Sequence, residues 1–534
     1  MTYQDLRAFL KVLESQGELM RIDAEVSADL EIAEITDRVS KGKGAANKAL
    51  LFTNVKGYDM PVLINVFGSM KRMCLALETP SLDDIADRIR ELIKPKVPET
   101  LVDKLSFLPT LLEVGRFPPK LTQGAAPCQE VILNDPSAAM LDKLPIIRCW
   151  PGDPAAFITL PVVITKDPRS GIRNLGVYRL QKYDNNTTGM HWHKHHDGAR
   201  NFEDARRRDQ SDGSQSEPPN YGTIFTPAAA SDKPAGRRVE VACVIGADPA
   251  VTYAATAPLP PDIDELVFAG FLRRTPVRLV RCVSVDLEVP ANAEMVIEGY
   301  VEQSELRREG PFGDHTGFYS PAGMFPVFHV TAVTHRKNPI YQTTIVGKPP
   351  QEDCFLGKAT ERIFLPLMQM LVSEVVDLDL PWEGVFHNCA IIAIDKRYPG
   401  HARKVMSAVW GLGQMMFTKY VIVVDKHVNV HDYSEVALHV FGSVDPRRDF
   451  MFADGPLDIL DHSAPLFGFG SKVGIDATKK WQAEGHPREW PPEIAMSDEV
   501  VEKVAKRWAE YGFSAGATSG APLENQRVQP VKTR

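Results

Sequence analysis

The sequence predicts a mixed α+β and α/β protein of more than one folded unit, and three observations carry that expectation. Between about residues 145 and 300, short β-branched runs alternate with Pro, Gly and Asp turns; after Gly347 helical and strand patterns interleave; and an amphipathic helix stands near each end. At ~100–200 residues per domain, a chain of 534 residues is too long for one unit. Its 44% hydrophobic and 24% charged residues are globular proportions that supply an ample core.

The opening helix is read from Leu6, Phe9, Leu10 and Leu13 at helical spacing, with Thr2 as an N-cap candidate and Gly17 at the C-terminal end. In the middle third, residues 157–165, 239–245 and 277–289 read as strands. The stretch 201–220 is polar and nearly free of aliphatic residues, and is expected to be a surface loop. Residues 358–376 and 402–416 read as helices, and 385–394 and 419–430 as buried strands. A last helix is expected over 498–511, where Val500, Val501, Val504 and Trp508 share a face, followed by a mobile Gly/Ser/Pro-rich tail.

Composition excludes several functions. With 61 basic against 69 acidic residues the net charge is −8, which disfavours a nucleic-acid partner. No apolar run approaches the ~18 residues of a membrane span, and residues 1–19 lack the apolar block of a signal peptide, so a soluble cytoplasmic protein is expected. The seven cysteines include no C-x-x-C pair, so neither a disulfide framework nor a thiolate zinc site is indicated. Nor does the chain contain G-x-x-x-x-G-K-[ST], H-E-x-x-H or G-x-S-x-G.

Three segments could carry chemistry. Residues 174–200, NLGVYRLQKYDNNTTGMHWHKHHDGAR, gather His191, His193, His195 and His196, and imidazole is the commonest protein metal ligand. In extended chain only alternate residues share a face, so surface histidines on a polar loop remain an equal alternative. Residues 302–316, EQSELRREGPFGDHT, place Glu309 and Asp314 on either side of a Gly-Pro-Phe-Gly turn that can fold two carboxylates together. Such a pair acquires split pKa values, although alone the segment favours a turn-capping Asp314 and a solvated Glu309. Residues 257–270, APLPPDIDELVFAG, set Asp262, Asp264 and Glu265 at the start of an apolar helix, where acidic residues are more often caps than metal ligands.

Together the motifs TKDP-x4-RN-x4-R, TGMHWH…DGAR, P-D-x2-E-x3-AG, EGY-x8-EGPFGDHTG and GSK-x-G-x-DAT, in this order, resemble the UbiD-type decarboxylases, which use prenylated FMN. The resemblance implies a catalytic trio of Arg179, Glu309 and Asp314. It also implies Asn174, His195 and Glu265 as ligands of Mn²⁺ or Mg²⁺, with K⁺ as a further ion. Val177, Tyr178, Arg179, His191, Trp192, His193, His196 and Asp197 would cradle the prenyl-flavin, and Lys419 is similar to a lysine that meets its phosphate. Hydroxybenzoate-type members share the Asp at position 314, where several others carry Glu.

The implied fold is α+β / α/β, a cofactor-binding domain over 1–325 containing a split β-barrel at about 116–325, joined by a helix to an α/β oligomerisation domain over 326–495. A C-terminal helix over 496–513 and a tail over 514–534 complete it. The implied activity is reversible non-oxidative decarboxylation of an aromatic, heteroaromatic or α,β-unsaturated carboxylic acid, the cofactor serving as electron sink. A flavin prenyltransferase would supply the cofactor, and a homodimer or homohexamer is expected. An aromatic acyl-CoA thioester is the alternative substrate, with Arg206–Arg208 facing a CoA phosphate. A non-catalytic cofactor-binding subunit and an ordinary flavin oxidoreductase are the alternatives of other classes.

Overall fold

The structure, a computed structural model, describes residues 3–42, 44–93, 116–124, 126–135, 140–167, 171–192, 238–259 and 263–513. The expected polar loop at 201–220 and the tail at 514–534 lie outside the described residues. The first helix, Leu6–Ser15, buries Leu6, Phe9, Leu10 and Leu13 as the spacing requires, but its N-cap is Asp5, whose side chain accepts from Ala8 N. The strand Leu19–Ile22 then runs parallel to Ala49–Phe52, which pairs antiparallel with Val62–Ile64; Tyr341–Gln342 adds the fourth strand of this sheet.

The centre is a seven-stranded sheet. Its path runs Thr187–Gly189, Gly323–His335, Met295–Glu309, Arg238–Ile245, Val162–Lys166 and Arg173–Val177, all antiparallel, and Val131–Leu133 also pairs with Gly323–His335. The path is open, and no closed barrel forms among the described residues. Side chains of Arg238–Ile245 divide between two cores. Val239, Val241, Cys243 and Ile245 join one with Met295, Ile297 and Val163, while Ala242 and Val244 join the other with Val296, Val162 and Ile164. Both faces are therefore buried, which is why these strands read as continuous apolar runs rather than as polar–apolar alternation.

The C-terminal part is a five-stranded sheet, ordered Val375–Asp379, Cys389–Ile394, Tyr420–Asp425, Phe469–Asp476, Phe450–Pro456. The inner three strands are parallel and the two outer pairs antiparallel. Helix Glu352–Leu371 begins earlier than its periodicity suggests because Gln351 caps it, and helix His401–Trp410 stops at Gly411. The strand expected from 385 begins only at Cys389, because Trp382–Gly384 forms a 3₁₀ turn followed by Val385 and Phe386 at φ 47° and 49°. Helix Asp498–Lys506 buries none of its residues within this chain. Among the described residues no helix is long and apolar enough to cross a membrane.

The two longest strands meet at a bulge between Glu298 and Gly299. A Cβ at Gly299 would overlap the His329 carbonyl oxygen, which is backbone and cannot rotate away. Gly299→Ala is expected to destabilise the protein by about 1–3 kcal/mol, read as a lowered urea midpoint; an unchanged midpoint would contradict this packing.

Candidate active site

Arg179 lies two residues past the end of strand Arg173–Val177, and Glu309 ends strand Met295–Glu309. The next residues form a small hairpin in which Phe312 and Gly313 pair with Ser320 and Tyr319. Asp314 stands at its turn, donating its N–H to Phe318 O at 3.1 Å and accepting at its own carbonyl from Gly317 N at 2.9 Å. Two buried side chains anchor the hairpin. Gln181 accepts from Gly310 N at 2.7 Å, and Asp153 accepts from Gly313 N at 2.9 Å. Position 313 must be glycine, because a Cβ there would overlap the Trp150 ring.

These elements converge on one guanidinium. Arg179 donates from Nε to Glu309 Oε1 at 2.9 Å, from Nη2 to Glu309 Oε2 at 3.3 Å, and from Nη1 to Asp314 Oδ2 at 2.6 Å. Nη2 also donates to Ser320 Oγ at 3.0 Å, and the guanidinium carbon stands 4.5 Å from the centre of the Phe312 ring. Glu309 is fully buried and Asp314 is 6% exposed. The solvated Glu309 that its segment alone favours is thus not what forms. Asp314 does cap its turn, accepting from His315 N at 2.8 Å, and pairs with arginine as well.

His191 joins this network. Its N–H donates to Arg179 O at 3.3 Å, Nδ1 lies 2.9 Å from Glu309 Oε2, and its ring stacks on Phe325 with centroids 4.1 Å apart. Burial and the Arg179 charge both lower its pKa, so the ring is neutral near pH 7 and Nδ1–H donates to the carboxylate. Burial alone would raise Glu309, but its contacts with His191 and Arg179 outweigh that and hold it at about 2. Burial likewise opposes ionisation of Asp314; its bonds to His315 and the Arg179 charge prevail and hold it well below the usual carboxylate range.

A second group forms beside strand Arg173–Val177. Asp264 caps helix Glu265–Arg273, accepting from Leu266 N, as its position predicts. Glu265 instead turns back and accepts from Leu175 N at 3.0 Å, next to Asn174. Asn174 and Glu265 are 9% and 8% exposed, and Asn174 Nδ2 is buried without a hydrogen-bond partner. The two ends of a carboxamide are isosteric, so this buried end can equally present oxygen. An amide and a carboxylate side by side, both buried, fit a hard oxygen-preferring cation.

Of the other expected residues, Val177 packs against one core; Tyr178 and Trp192 belong to the other, Trp192 fully buried. His193, His195, His196 and Asp197 lie outside the described residues. Lys419 stands just before strand Tyr420–Asp425 and bonds Asp461 and Ser463, flanking His462, whose ring packs 4.0 Å from that of Phe318 in the site hairpin. A separate cavity of about 250 Å³, lined by Gln4, Asp248, Arg273 and Asn292 among others, shares no residue with the trio. Sequence reasoning missed Ser320 and Asp153, which are isolated polar residues outside the motifs, and Gln181, which lies within the 174–200 segment but carries no chemical signature of its own, and it missed the partner of His315. For the last, the histidine directly after Asp314 was a readable signal.

Comparison with known proteins finds three family domains along the chain. Residues 10–90, 120–349 and 354–477 match the N-terminal, Rift-related and C-terminal domains of 3-octaprenyl-4-hydroxybenzoate carboxy-lyase. An uncharacterized protein of Archaeoglobus fulgidus is 49% identical over 511 residues, covering 96% of this chain and 99% of its own. The UbiD-class enzyme HmfF from Pelotomaculum thermopropionicum, solved with FMN, is 30% identical with TM-score 0.74, covering 95% of this chain and 100% of that one. Sedimentibacter hydroxybenzoicus vanillic acid decarboxylase in closed form is 27% identical with TM-score 0.78, covering 96% and 100%.

With the folded Glu309 carboxyl at about 2 against an ordinary 4.5, its pairing contributes fully above pH 4.5 and is lost as pH falls towards 2. The urea midpoint of the wild type is expected to decline over that window more steeply than that of Glu309→Gln. Parallel declines would contradict the pairing.

Proposed function

The chain belongs to the 3-octaprenyl-4-hydroxybenzoate carboxy-lyase (UbiD) family, and from that premise we propose that it is a prenylated-FMN-dependent decarboxylase. Its substrate is an aromatic, heteroaromatic or α,β-unsaturated carboxylic acid, and the reaction is reversible and non-oxidative. The observation that carries this reading is the buried Glu309–Arg179–Asp314 network, with both acids within 2.9 Å of one guanidinium. An intact proton-transfer set is unnecessary in a non-catalytic subunit.

Prenylated FMN, when bound, supplies the sink for the electron pair left at the carbon that loses CO₂. Asn174 and Glu265, with His195, would hold Mn²⁺ or Mg²⁺, and K⁺ would assist in neutralising the flavin phosphate. Val177, Tyr178, His191, Trp192, His193, His196, Asp197 and Lys419 complete the cradle.

The chain's own part is orientation and proton supply. Arg179 fixes both acids and orients the substrate carboxylate beside them. Glu309, at about 2, stays ionised through the working range and keeps the guanidinium aligned. An anionic substrate arriving beside Asp314 opposes a second negative charge there, so Asp314 takes up a proton and then delivers it to the carbon vacated by CO₂.

The division into 1–325, 326–495 and 496–513, with a split barrel in the first unit, belongs to this proposal. Exposed Leu438, Phe441 and Phe452 in the C-terminal part, with Val500 and Val501 on the last helix, support a homodimer or homohexamer.

Two experiments test the assignment. After co-expression with a flavin prenyltransferase, the enzyme is expected to release CO₂ from at least one of 4-hydroxybenzoate, vanillate, a furan carboxylate or an aromatic acyl-CoA. Asp314→Asn should lower that rate by about 10²–10⁴-fold with unchanged circular dichroism, and an unimpaired variant would refute the role. Dialysis of the loaded enzyme against a chelator should release the flavin, seen as lost protein-bound absorbance; full retention would refute the metal anchor.

A further inference from the structure

His315 follows Asp314 and meets it twice. Its backbone N–H donates to Asp314 Oδ1 at 2.8 Å, and its Nδ1 lies 2.9 Å from the same oxygen. Its other ring nitrogen, Nε2, lies 2.8 Å from Nε2 of His387, which comes from the C-terminal part of the chain. The segment carrying His387 is held against ordinary backbone preference, with Val385 and Phe386 in succession at positive φ. Backbone bonds fix it there, from Phe386 N to Pro381 O at 3.1 Å and from Asn388 N to Gly384 O at 2.9 Å. As a result Phe386 stacks on the His315 ring at 5.2 Å and 27°, while His387 meets it edge-on at 5.1 Å and 86°. Strained backbone of this kind persists where its surroundings over-determine it, and it clusters at functional sites.

The hydrogen-bond chemistry sets the proton positions. An ionised carboxylate only accepts, so Nδ1 of His315 carries a proton towards Asp314; between two facing Nε2 atoms, one must donate. The charged and titratable groups around His315 are Asp314 on its own loop, Asp353 at the start of helix Glu352–Leu371, Asp458, and His387. Burial opposes charge on His315, but Asp314, Asp353 and Asp458 outweigh it and raise the ring to about 9. Burial, reinforced by the His315 charge, pushes His387 down to about 4. His315 is thus the double donor and His387 the neutral acceptor. The His315 side chain keeps 18% of its surface exposed, enough for water to reach it.

Resting on the decarboxylase reading above, we propose that His315 is the proton store of Asp314 and that His387 positions it. As substrate binds, the Nδ1–H bond of His315 breaks and an O–H bond forms on Asp314, leaving a neutral imidazole and a carboxylic acid. When the C–C bond to the carboxylate breaks and CO₂ departs, the remaining electron pair takes that proton, forming C–H and restoring the Asp314 carboxylate. Solvent then reprotonates His315. The sum is R–CO₂⁻ plus one solvent proton giving R–H and CO₂. His387 accepts from Nε2–H throughout, so the ring keeps Nδ1 facing Asp314, and a residue from the C-terminal part completes a site built by the central sheet.

The test uses cofactor-loaded enzyme with whichever acid the CO₂-release screen identifies, together with ¹⁵N-histidine NMR of the same protein. His315→Asn is expected to lower kcat by about tenfold or more near neutral pH while KM stays within about twofold, and to abolish the alkaline limb of the kcat profile. His387→Gln, which retains an acceptor, should keep kcat nearer the wild type than His387→Phe does. In the NMR spectrum both His315 ring nitrogens should carry protons near neutral pH, and Asp314→Asn should lower that ring's pKa by about one unit or more. Release of CO₂ by the wild type with unchanged kcat and pH profile in His315→Asn would overturn this inference alone. A neutral His315 ring near pH 7 would do the same. No CO₂ release by the wild type from any acid would overturn the decarboxylase reading and this one with it.

Discussion

One guanidinium shared by two buried carboxylates is the constraint around which the candidate active site is built. Placing charged groups away from water is costly, and an ion pair there seldom stabilises a fold more than apolar packing would. The arrangement is nonetheless fully supported. Four hydrogen bonds leave Arg179, three of them to the two acids. Two segments distant in sequence must be brought to within a few ångströms to achieve this, and the antiparallel path from Arg173–Val177 through the long central strands does so. Gln181 and Asp153 then clamp the intervening turn from behind.

Electrostatic balance explains the neighbours. Arg179 with Glu309 and Asp314 leaves one net negative charge in the site, and the imidazolium of His315 offsets it. His191, beside the same cluster, stays neutral, because burial and then the neighbouring Arg179 charge both oppose a positive ring. The two histidines therefore differ in charge although both touch a carboxylate. What separates them is that Arg179 lies against both oxygens of His191's partner, whereas it bonds Asp314 on the oxygen opposite His315, which also faces Asp353 and Asp458.

Much of the fold was legible because its signals are local. Leu6, Phe9, Leu10 and Leu13 define a helix without outside help, and the run through Val241, Cys243 and Ile245 defines a strand. Element ends were less legible, since Asp5 and Gln351 are caps that act through side-chain geometry invisible to periodicity. Arg179, Glu309 and Asp314 were found through the order of motifs, whereas the turn between the acids, read alone, pointed to a solvated Glu309. What sequence could not supply was partnership across long separations, such as Ser320 beneath Arg179 or His387 against His315. Those contacts depend on where the C-terminal part docks, which no single segment encodes.

The central claim is that Arg179 holds Asp314 where it can exchange a proton with the carbon that bears the substrate's carboxylate. Its most direct measurement is deuterium uptake from D₂O into the decarboxylated product by cofactor-loaded enzyme, without CO₂. Uptake is expected at that one carbon in the wild type and should be lost in Arg179→Lys, whose ammonium cannot form the bidentate pair. Undiminished uptake in Arg179→Lys, or none in the wild type, would contradict it.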